Sequence, residues 1–450
     1  MMFGKNGIRT FKLGGVHPTE NKISAGKMIL DLPLPKLVSI PISQHIGAPA
    51  KPVVEAREKV KVGQLIAKGN GFVSANVHAS VSGTVTKIER VLDTSGYKRD
   101  AIVIRVAEDD WLENIIRDNG IIRKIPDNPK NILEKIMEAG IVGLGGATFP
   151  SHVKLSVPKG KEAEYLILNG VECEPFLTAD HQLMLESAEE IVIGGQLLMK
   201  ALGVTKAIIG IENNKPDAIR LMKNFVSHYD GIEVVPLKVQ YPQGGEKQLI
   251  KAVLNREVPS GGLPIDVGVV VHNVGTAYAV YEAVQKNKPL IDRIVTITGV
   301  NVAKPGNYRM RIGASIKDLV EAAGGVPENT GKIICGGPMM GKAINGIDIP
   351  MAKGTSGILM IPEEASRRKA QKPCIRCTKC VQVCPMGLEP FLLMTESEKE
   401  LFERAESDRI LDCIECGSCS YICPSDRALL DYIRLGKKSV VAIKKEKASA

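Results

Sequence analysis

The sequence predicts a multidomain α/β protein with four folded parts. These are an N-terminal β barrel-sandwich hybrid, an α/β domain with a mostly parallel sheet, a small β-grasp unit and an α-helical C-terminal domain built around two cysteine runs. Short apolar stretches alternate with turn residues early in the chain, strands alternate with helices in its middle, and eight of the ten cysteines lie in two matching runs near its end. A chain of 450 residues is also too long for one core.

Composition and charge narrow the class of protein. The chain is 44% hydrophobic and 24% charged, as in ordinary soluble proteins, with a formal net charge of +9. Aromatic residues make up only 4%, which argues against a base-stacking surface and predicts no nucleic-acid partner. A basic surface for an acidic protein or anionic lipid is the more economical interpretation. No apolar run approaches the roughly 18–20 residues that span a bilayer, so we expect a cytoplasmic protein without a transmembrane segment.

The first two predicted parts are a leader at residues 1–35 and an all-β domain at residues 36–110. Between Ile40 and Val106, the segments VKVGQLIAKGNG, VHASVSGTVTKIE and AIVIRVAE alternate with turns, which is typical of the lipoyl and biotinyl type of barrel-sandwich hybrid. No hairpin presents a lysine between methionines for a prosthetic group. The sequence therefore favours a structural or docking module over a swinging carrier.

Residues 111–290 form the predicted α/β domain. A Ser187-x-x-Glu190 capping box is expected to open one helix, which Gly203 ends. The predicted strands are Tyr165–Leu168, Ala207–Ile211 and Val234–Val239. The predicted helices are Ile191–Leu202 and a further one with Pro216 in its first turn. This alternation predicts a parallel sheet covered by helices.

Three further parts complete the predicted organisation. Residues 291–355 show two strands, a helix beginning near Ser315 and another strand in KIICGGPMMG, which suggests a β-grasp unit. Residues 356–436 hold the cysteine runs. The lysine-rich tail at residues 437–450 is expected to be disordered at its end.

The two cysteine runs predict iron–sulfur clusters. Each has the spacing C-x-x-C-x-x-C-x-x-x-C-P, the run of bacterial ferredoxins with two [4Fe–4S] clusters, in which the fourth cysteine binds the other cluster. The predicted ligand sets are Cys374, Cys377, Cys380 and Cys423 for one cluster, and Cys413, Cys416, Cys419 and Cys384 for the other. Paired zinc knuckles are the alternative, but they do not require two repeats of four cysteines followed by proline.

A glycine-rich loop, IVGLGGATFP, follows the predicted helix that ends near residue 139. Gly143, Gly145 and Gly146 leave its backbone bare, so a phosphate could approach the amide groups closely. Thr148 stands where the third glycine of G-x-G-x-x-G would be, so a simple tight turn is the other interpretation. Lys154 could supply a counter-charge.

Three more segments follow strands and carry polar groups. They are LNGVECEP with Asn169, Glu172 and Glu174, then YPQGGEK, then VVHNVGT with Asn273, for which a helix N-cap is the structural alternative. Ligands of open α/β sheets bind at the carboxyl ends of strands. Four such segments in one domain favour a nucleotide or flavin site.

These four segments resemble the NADH- and FMN-binding subunit of respiratory complex I. The matching positions are Gly143, Gly145, Gly146, Phe149, Pro150, Lys154, Asn169, Glu172, Glu174, Pro175, Tyr241, Gly244, Glu246, Asn273 and Thr276. The resemblance implies a Rossmann-like domain whose residues at these positions hold FMN, with NAD(H) as substrate. Leu144, Val171, His272 and Gly275 depart from the pattern of that family, which leaves the detailed nicotinamide contacts open.

Together with the leading motif FKLGGVHPTE, the whole chain resembles the C subunits of Rnf complexes, the ion-translocating ferredoxin:NAD oxidoreductases of bacterial membranes. The resemblance implies a flavin-dependent NAD(H) oxidoreductase subunit, peripheral on the cytoplasmic face, docked on membrane subunits and connected to ferredoxin indirectly. No general acid or base is predicted, since hydride transfer needs none. Two alternatives are a wiring subunit that binds no nucleotide and the related cobalamin reductase.

Overall fold

The structure is a computed structural model that describes residues 8–449, with side chains to residue 448. Its helices are α1 (Pro129–Glu138), α2 (Ser151–Leu155), α3 (Ala179–Glu186), α4 (Ala188–Leu202), α5 (Pro216–Val226), α6 (Glu246–Leu254), α7 (Val274–Lys286), α8 (Ile316–Ala322), α9 (Glu363–Ser366), α10 (Lys379–Gln382), α11 (Pro390–Glu398), α12 (Phe402–Ser407), α13 (Ser418–Ile422) and α14 (Leu429–Ser449). None of these described helices is long and apolar enough to cross a membrane.

The strands build four sheets. They are β1 (Ile29–Asp31), β2 (Leu37–Pro41), β3 (Lys51–Pro52), β4 (Lys59–Val60), β5 (Leu65–Lys68), β6 (Val77–His78), β7 (Gly83–Leu92), β8 (Lys98–Val106), β9 (Tyr165–Asn169), β10 (Ala207–Glu212), β11 (Ile232–Leu237), β12 (Val269–Asn273), β13 (Asp292–Thr298), β14 (Gly306–Arg311), β15 (Thr330–Cys335), β16 (Lys342–Ile344) and β17 (Gly357–Pro362).

The predicted all-β domain is confirmed. It consists of an antiparallel sheet in the order β2-β8-β7-β4 and a smaller sheet in the order β3-β5-β6. Across β2 and β8, Val38 is paired with Ile104 and Ile40 with Ile102, and all four side chains are buried. Burying such pairs on one face of each strand gives the domain its core.

The predicted parallel, covered sheet is also confirmed, in the order β11-β10-β9-β12. Helices α4 and α7 cover one face. They pack so closely that a Cβ at Gly194 of α4 would lie 1.9 Å from the carbonyl oxygen of Ala277 in α7, so only glycine fits there. Helix α6 covers the other face with Leu249 and Ile250. Strand β11 is shifted by two residues toward the N-terminus relative to the predicted strand Val234–Val239.

The capping box predicted at Ser187 is wrong. Ser187 does precede α4, but its side chain makes no capping hydrogen bond. Its backbone N–H already closes α3 through a bond to the carbonyl of Leu183, so its backbone does not adopt the extended conformation of an N-cap. The end of the helix is as predicted, since Gly203 adopts the left-handed conformation with φ of 72°.

A six-stranded sheet follows, in the order β1-β14-β13-β17-β15-β16. Helix α8 begins after Ser315, which forms a capping box with Asp318, close to the predicted start. Two of its strands lie outside the predicted range of residues 291–355: β1 comes from the leader and pairs with β14, and β17 pairs with β13 and β15.

The C-terminal domain is helical, as predicted, but its tail differs from the prediction. Helix α14 continues from the domain through the lysine-rich tail to Ser449 instead of becoming disordered. Ion pairs with α12 explain this, because Lys444 lies 2.8 Å from Glu406 and Lys447 lies 3.6 Å from Glu403. Ala450 is outside the described residues.

The leader lies between the α/β domain and the C-terminal domain. Val16 forms a β-bridge with Tyr241, and the amide of Gly15 donates to the carbonyl of Val383 over 2.9 Å. A Cβ at Gly14, whose φ is +71°, would lie 2.6 Å from the carbonyl carbon of Cys384. A residue without a side chain is therefore needed where the leader crosses the end of the first cysteine run.

Candidate functional site

The glycine-rich loop is a closed hairpin with an open tip. Its base is held by a bond from the Gly143 amide to the Phe149 carbonyl, 2.9 Å, and the Leu144 amide donates to the hydroxyl of Thr276 over 2.9 Å. At the tip, a Cβ on Gly145 would lie 2.9 Å from the Cβ of Asn273, whereas a Cβ on Gly146 would meet no atom within 4 Å. The tip therefore presents bare backbone to open space, as a bound phosphate or flavin requires.

Asparagines link three of the predicted segments at one edge of the parallel sheet. Asn169, at the end of β9, donates to the carbonyl of Gly244 over 2.9 Å. The side chain of Asn273 donates to the carbonyl of Asn169 over 3.3 Å and to Asp180 over 2.6 Å, and it accepts from the Gly275 amide. Asn273 is thus the N-cap of α7, as the structural alternative predicted. It also links α7 to the end of β9 and to α3 at this edge of the sheet.

Lys154 and Glu246 face each other at this edge. Their side chains form an ion pair of 2.8 Å, and the Lys154 ammonium also donates to the carbonyl of Val271 over 3.0 Å. An ammonium has three N–H donors, so one remains for a ligand. Glu246 occupies the first turn of α6, where the helix dipole favours a negative charge.

The carboxylates of Glu172 and Glu174 both accept hydrogen bonds from backbone amides. Glu172 accepts from the first amides of α3, at Asp180 over 2.8 Å and His181 over 3.1 Å. Glu174 accepts from Met340 over 2.7 Å and from Met339 over 3.1 Å, and burial raises its pKa to about 7. These two residues shape the segment between β9 and α3 and tie it to the loop that follows β15.

The sequence did not predict the role of Lys22. Its buried ammonium donates to three carbonyls of the segment after β9: Glu172 over 2.8 Å, Glu174 over 2.9 Å and Leu177 over 2.7 Å. Burial lowers the pKa of Lys22. Lys22 follows the leading motif by two residues, but about 150 residues separate it from its partners, and no spacing rule connects them.

Arg293 was missed as well. It is buried near the start of β13, an interior strand of the six-stranded sheet, and its guanidinium donates to the carbonyl of Leu144 in the glycine-rich loop and to that of Lys353. The loop is therefore held by a cation from the six-stranded sheet, which lies outside the α/β domain. Because Arg293 bonds to the backbone carbonyl of Leu144, the identity of the side chain at position 144 gave no signal of this contact.

The second cysteine run encloses a cavity together with one cysteine of the first. Cys384, Cys413, Cys416 and Cys419 line it, with apolar neighbours that include Leu388, Leu393 and Ile433. Backbone amides point at two of the sulfurs, from Leu388 to Cys384 and from Glu415 to Cys413, each over 3.4 Å. Four cysteines around one mostly apolar cavity, with amides directed at sulfur, suit a [4Fe–4S] cluster in the predicted crossed pairing.

The first cysteine run has the same backbone conformation as the second. The second and fourth residues after the first cysteine are left-handed in both, with φ of 53° and 59° at Arg376 and Thr378 and 57° and 80° at Glu415 and Gly417. Cys374 and Cys377 are exposed. Burial raises the pKa of the Cys380 thiol, and the nearby Cys423 thiol raises it further. The repeated conformation means that this loop also suits a cluster.

The cavity of the second run lies against the α/β domain. The hydroxyl of Tyr241 donates to the carbonyl of Cys416 over 2.8 Å, and Tyr241 is buried. The side chain of Gln248, in α6, donates to the carbonyl of Pro385 over 3.3 Å. The predicted residue Tyr241 thus contacts the loop of the second cysteine run directly, which the sequence did not indicate.

Named relatives match nearly the whole chain. It is 47% identical over 447 residues to the C subunit of the proton-translocating ferredoxin:NAD+ oxidoreductase complex of Clostridium ljungdahlii, a match that covers 98% of this chain and 96% of that protein. The chain belongs to the family of C subunits of ion-translocating oxidoreductase complexes. Another member, the C subunit of the Na+-translocating complex of Acetobacterium woodii, is 44% identical over 96% of this chain and 97% of its own. The C subunit of the ion-translocating complex of Rhodobacter capsulatus is 42% identical over 86% of this chain and 75% of its own.

Family models divide the chain in the same order as its domains. The RnfC barrel sandwich hybrid domain matches residues 10–109, the Nuo51 FMN-binding domain residues 136–282, the SLBB domain residues 294–343 and the 4Fe-4S dicluster domain residues 366–424. Among solved structures, a chain of NAD+-reducing [NiFe]-hydrogenase in the H2-reduced state superposes with a TM-score of 0.50 at 20% identity, over 70% of this chain and 62% of that one. This last likeness concerns the fold alone.

Proposed function

We propose that this chain is a peripheral subunit of a membrane-bound ferredoxin:NAD+ oxidoreductase and that it transfers electrons between NAD(H), FMN and two [4Fe–4S] clusters. The observation that carries the proposal is the contact of Tyr241 with Cys416. It joins the edge of the sheet that carries the glycine-rich loop to the cavity lined by four cysteines. A nucleotide bound at this edge would therefore lie on the side of the α/β domain that packs against the cysteine-lined cavity, and such proximity favours electron transfer between the two sites.

In this proposal some predicted site residues would contact FMN, and others would hold the edge of the site in place. Backbone around Gly145 and Gly146 would hold FMN, with Lys154 supplying positive charge and Asn169 and Asn273 fixing the edge of the site. When bound, the flavin would exchange electron pairs with nicotinamide and single electrons with clusters. The chain itself would bind, orient and shield these groups, and no side chain would need to act as a general acid or base.

The finer organisation belongs to the same proposal. The parallel sheet and its helices, at residues 111–290, would form a Rossmann-like FMN and NADH domain, and residues 291–355, with β1 and β17, a β-grasp unit. The Cys384 site would be the cluster site next to the flavin domain, and the Cys374 site the more remote one. The chain would dock on membrane subunits of the same complex at the cytoplasmic face and receive ferredoxin electrons indirectly.

The proposal is tested by titrating the reconstituted, full-length protein with NADH in the absence of oxygen. We expect bleaching of the flavin band near 450 nm and of the broad cluster absorbance, because each pair of electrons accepted from NADH can pass on singly. A protein with full iron content that retains no FMN under saturating flavin, and whose clusters NADH leaves oxidised, would instead be a wiring subunit.

A further inference from the structure

Two lysine ammonium groups bind the backbone of the segment that follows β9. Lys22, which comes from the leader, donates to three carbonyls of this segment over 2.7 to 2.9 Å, the first of them that of Glu172. Lys215, just before α5, donates to the carbonyl of Val171 over 2.8 Å. Four carbonyl oxygens of residues 171–177 therefore point at positive charges that lie within the protein.

These bonds fix the direction of the neighbouring amides. In a trans peptide, the C=O of one residue and the N–H of the next point in opposite directions. The carbonyls of Val171 and Glu172 point at ammonium groups, so the amides of the residues that follow them, Glu172 and Cys173, point the other way. In the described part of the chain neither amide has a protein acceptor. Both can therefore donate to an electron-rich atom of a ligand at this edge of the sheet.

The two lysines differ in how their charges are balanced. Lys215 forms an ion pair with Glu212 at 3.6 Å, whereas the three hydrogen-bond partners of Lys22 are neutral carbonyls. Burial lowers the pKa of Lys22, so its charge is held at a cost in free energy. A neutral side chain with N–H donors would satisfy carbonyl oxygens at a lower cost. The positive charge of Lys22 therefore needs an explanation beyond the anchoring of the leader.

We propose that Lys22 is a positioning residue that stabilises negative charge on a flavin ring bound beside residues 171–174. The inference rests on the proposed function and deepens it, because it gives the leader a part in setting the reduction potential of the flavin. The bond from Lys22 to the Glu172 carbonyl aims the Cys173 amide, and the charge of Lys22 adds to the positive end of that N–H dipole. A flavin ring gains negative charge when it accepts electrons, and nearby positive charge favours that state.

The test compares FMN bound to the full-length, cluster-loaded protein and to three variants. Lys22→Gln keeps N–H donors but removes the charge, and Lys22→Arg keeps the charge. Lys27→Gln is the matched control, because Lys27 is another leader lysine whose ammonium donates to a carbonyl, that of Pro305, over 2.8 Å. Spectroelectrochemical titration at the flavin band measures the midpoint potential, and quenching of flavin fluorescence measures the affinity for oxidised FMN.

We expect Lys22→Gln to lose roughly tenfold more affinity for reduced than for oxidised FMN, which lowers the two-electron midpoint potential by about 30 mV. Lys22→Arg and Lys27→Gln should keep the potential of the unaltered protein. If Lys22→Gln does not fold, as judged by iron content and circular dichroism, Lys22→Met replaces it with the same expectation.

Two results would overturn the inference while the proposed function stands. One is an unchanged midpoint potential in the neutral variant, or a fall that Lys22→Arg or Lys27→Gln shows equally. The other is an equal loss of affinity for both forms of FMN, because Lys22 would then only anchor the leader. An unaltered protein that retains no FMN would instead refute the proposed function, and this inference with it.

Discussion

Replacing Gly146 by valine should abolish FMN retention while the iron content of the protein stays unchanged. A Cβ at this position meets no protein atom within 4 Å, so the new side chain enters open space without disturbing the packing. That space is where the bare tip of the loop would receive the flavin. We expect FMN affinity to fall about a hundredfold or more, which corresponds to roughly 3 kcal/mol. Quenching of flavin fluorescence during titration of the cluster-loaded protein measures it.

Gly346→Val is the matched control, since a Cβ at Gly346, in the segment that follows β16, also meets nothing within 4 Å. It should bind FMN as the unaltered protein does. Gly145→Val is a less specific test, because its Cβ would press on Asn273 and could disturb the whole edge of the sheet. Normal FMN binding by Gly146→Val would show that the flavin does not approach this loop.

Removing a cysteine from each cluster site should have unequal effects on electron flow. Cys384→Ser and Cys374→Ser should each lose one cluster, so iron content falls from about eight to about four atoms per chain. In Cys384→Ser, NADH should no longer reduce the remaining cluster at a useful rate, because the site in contact with Tyr241 is empty. In Cys374→Ser, NADH should still reduce the remaining cluster. Electron paramagnetic resonance spectra of samples frozen after NADH addition measure this difference.

Retained FMN in both cysteine variants is the control, because neither residue belongs to the flavin site. If the two variants lose reduction by NADH equally, or if Cys374→Ser is the more affected, the Cys384 site is not the one next to the flavin domain. Loss of both clusters in either variant would mean that the two sites fold as one unit, and the comparison would then be repeated with Cys413→Ser and Cys377→Ser.

Local pattern was enough to predict the parts of this protein that depend on neighbouring residues. The parallel sheet followed from apolar strands that alternate with helices. The crossed cysteine sets remain a prediction from the spacing of the two runs, with which the cavity lined by Cys384, Cys413, Cys416 and Cys419 agrees. The capping box at Ser187 failed although it too is a local pattern. Whether a serine can cap a helix depends on what the preceding residues do, and here α3 ends at Glu186 and already uses the Ser187 amide.

Contacts between distant segments could not be predicted. Lys22 reaches three carbonyls about 150 residues away, and Tyr241 reaches the Cys416 loop across 175 residues. The lysine-rich tail was expected to be disordered at its end, yet α14 runs to Ser449, and glutamates of α12 pair with Lys444 and Lys447. In each case the deciding partner belongs to another element, and its position is fixed only when the chain is folded.

The central claim is that two clusters, with ligands exchanged between the cysteine runs, connect a flavin site to an open surface. An iron-anomalous diffraction map of crystals of the cluster-loaded protein, soaked with FMN, tests it most directly. The account predicts one iron peak enclosed by Cys384, Cys413, Cys416 and Cys419 beside Tyr241, a second at Cys374, Cys377, Cys380 and Cys423, and flavin density at Gly146. Iron held by Cys374, Cys377, Cys380 and Cys384 together, or flavin bound away from the glycine-rich loop, would contradict it.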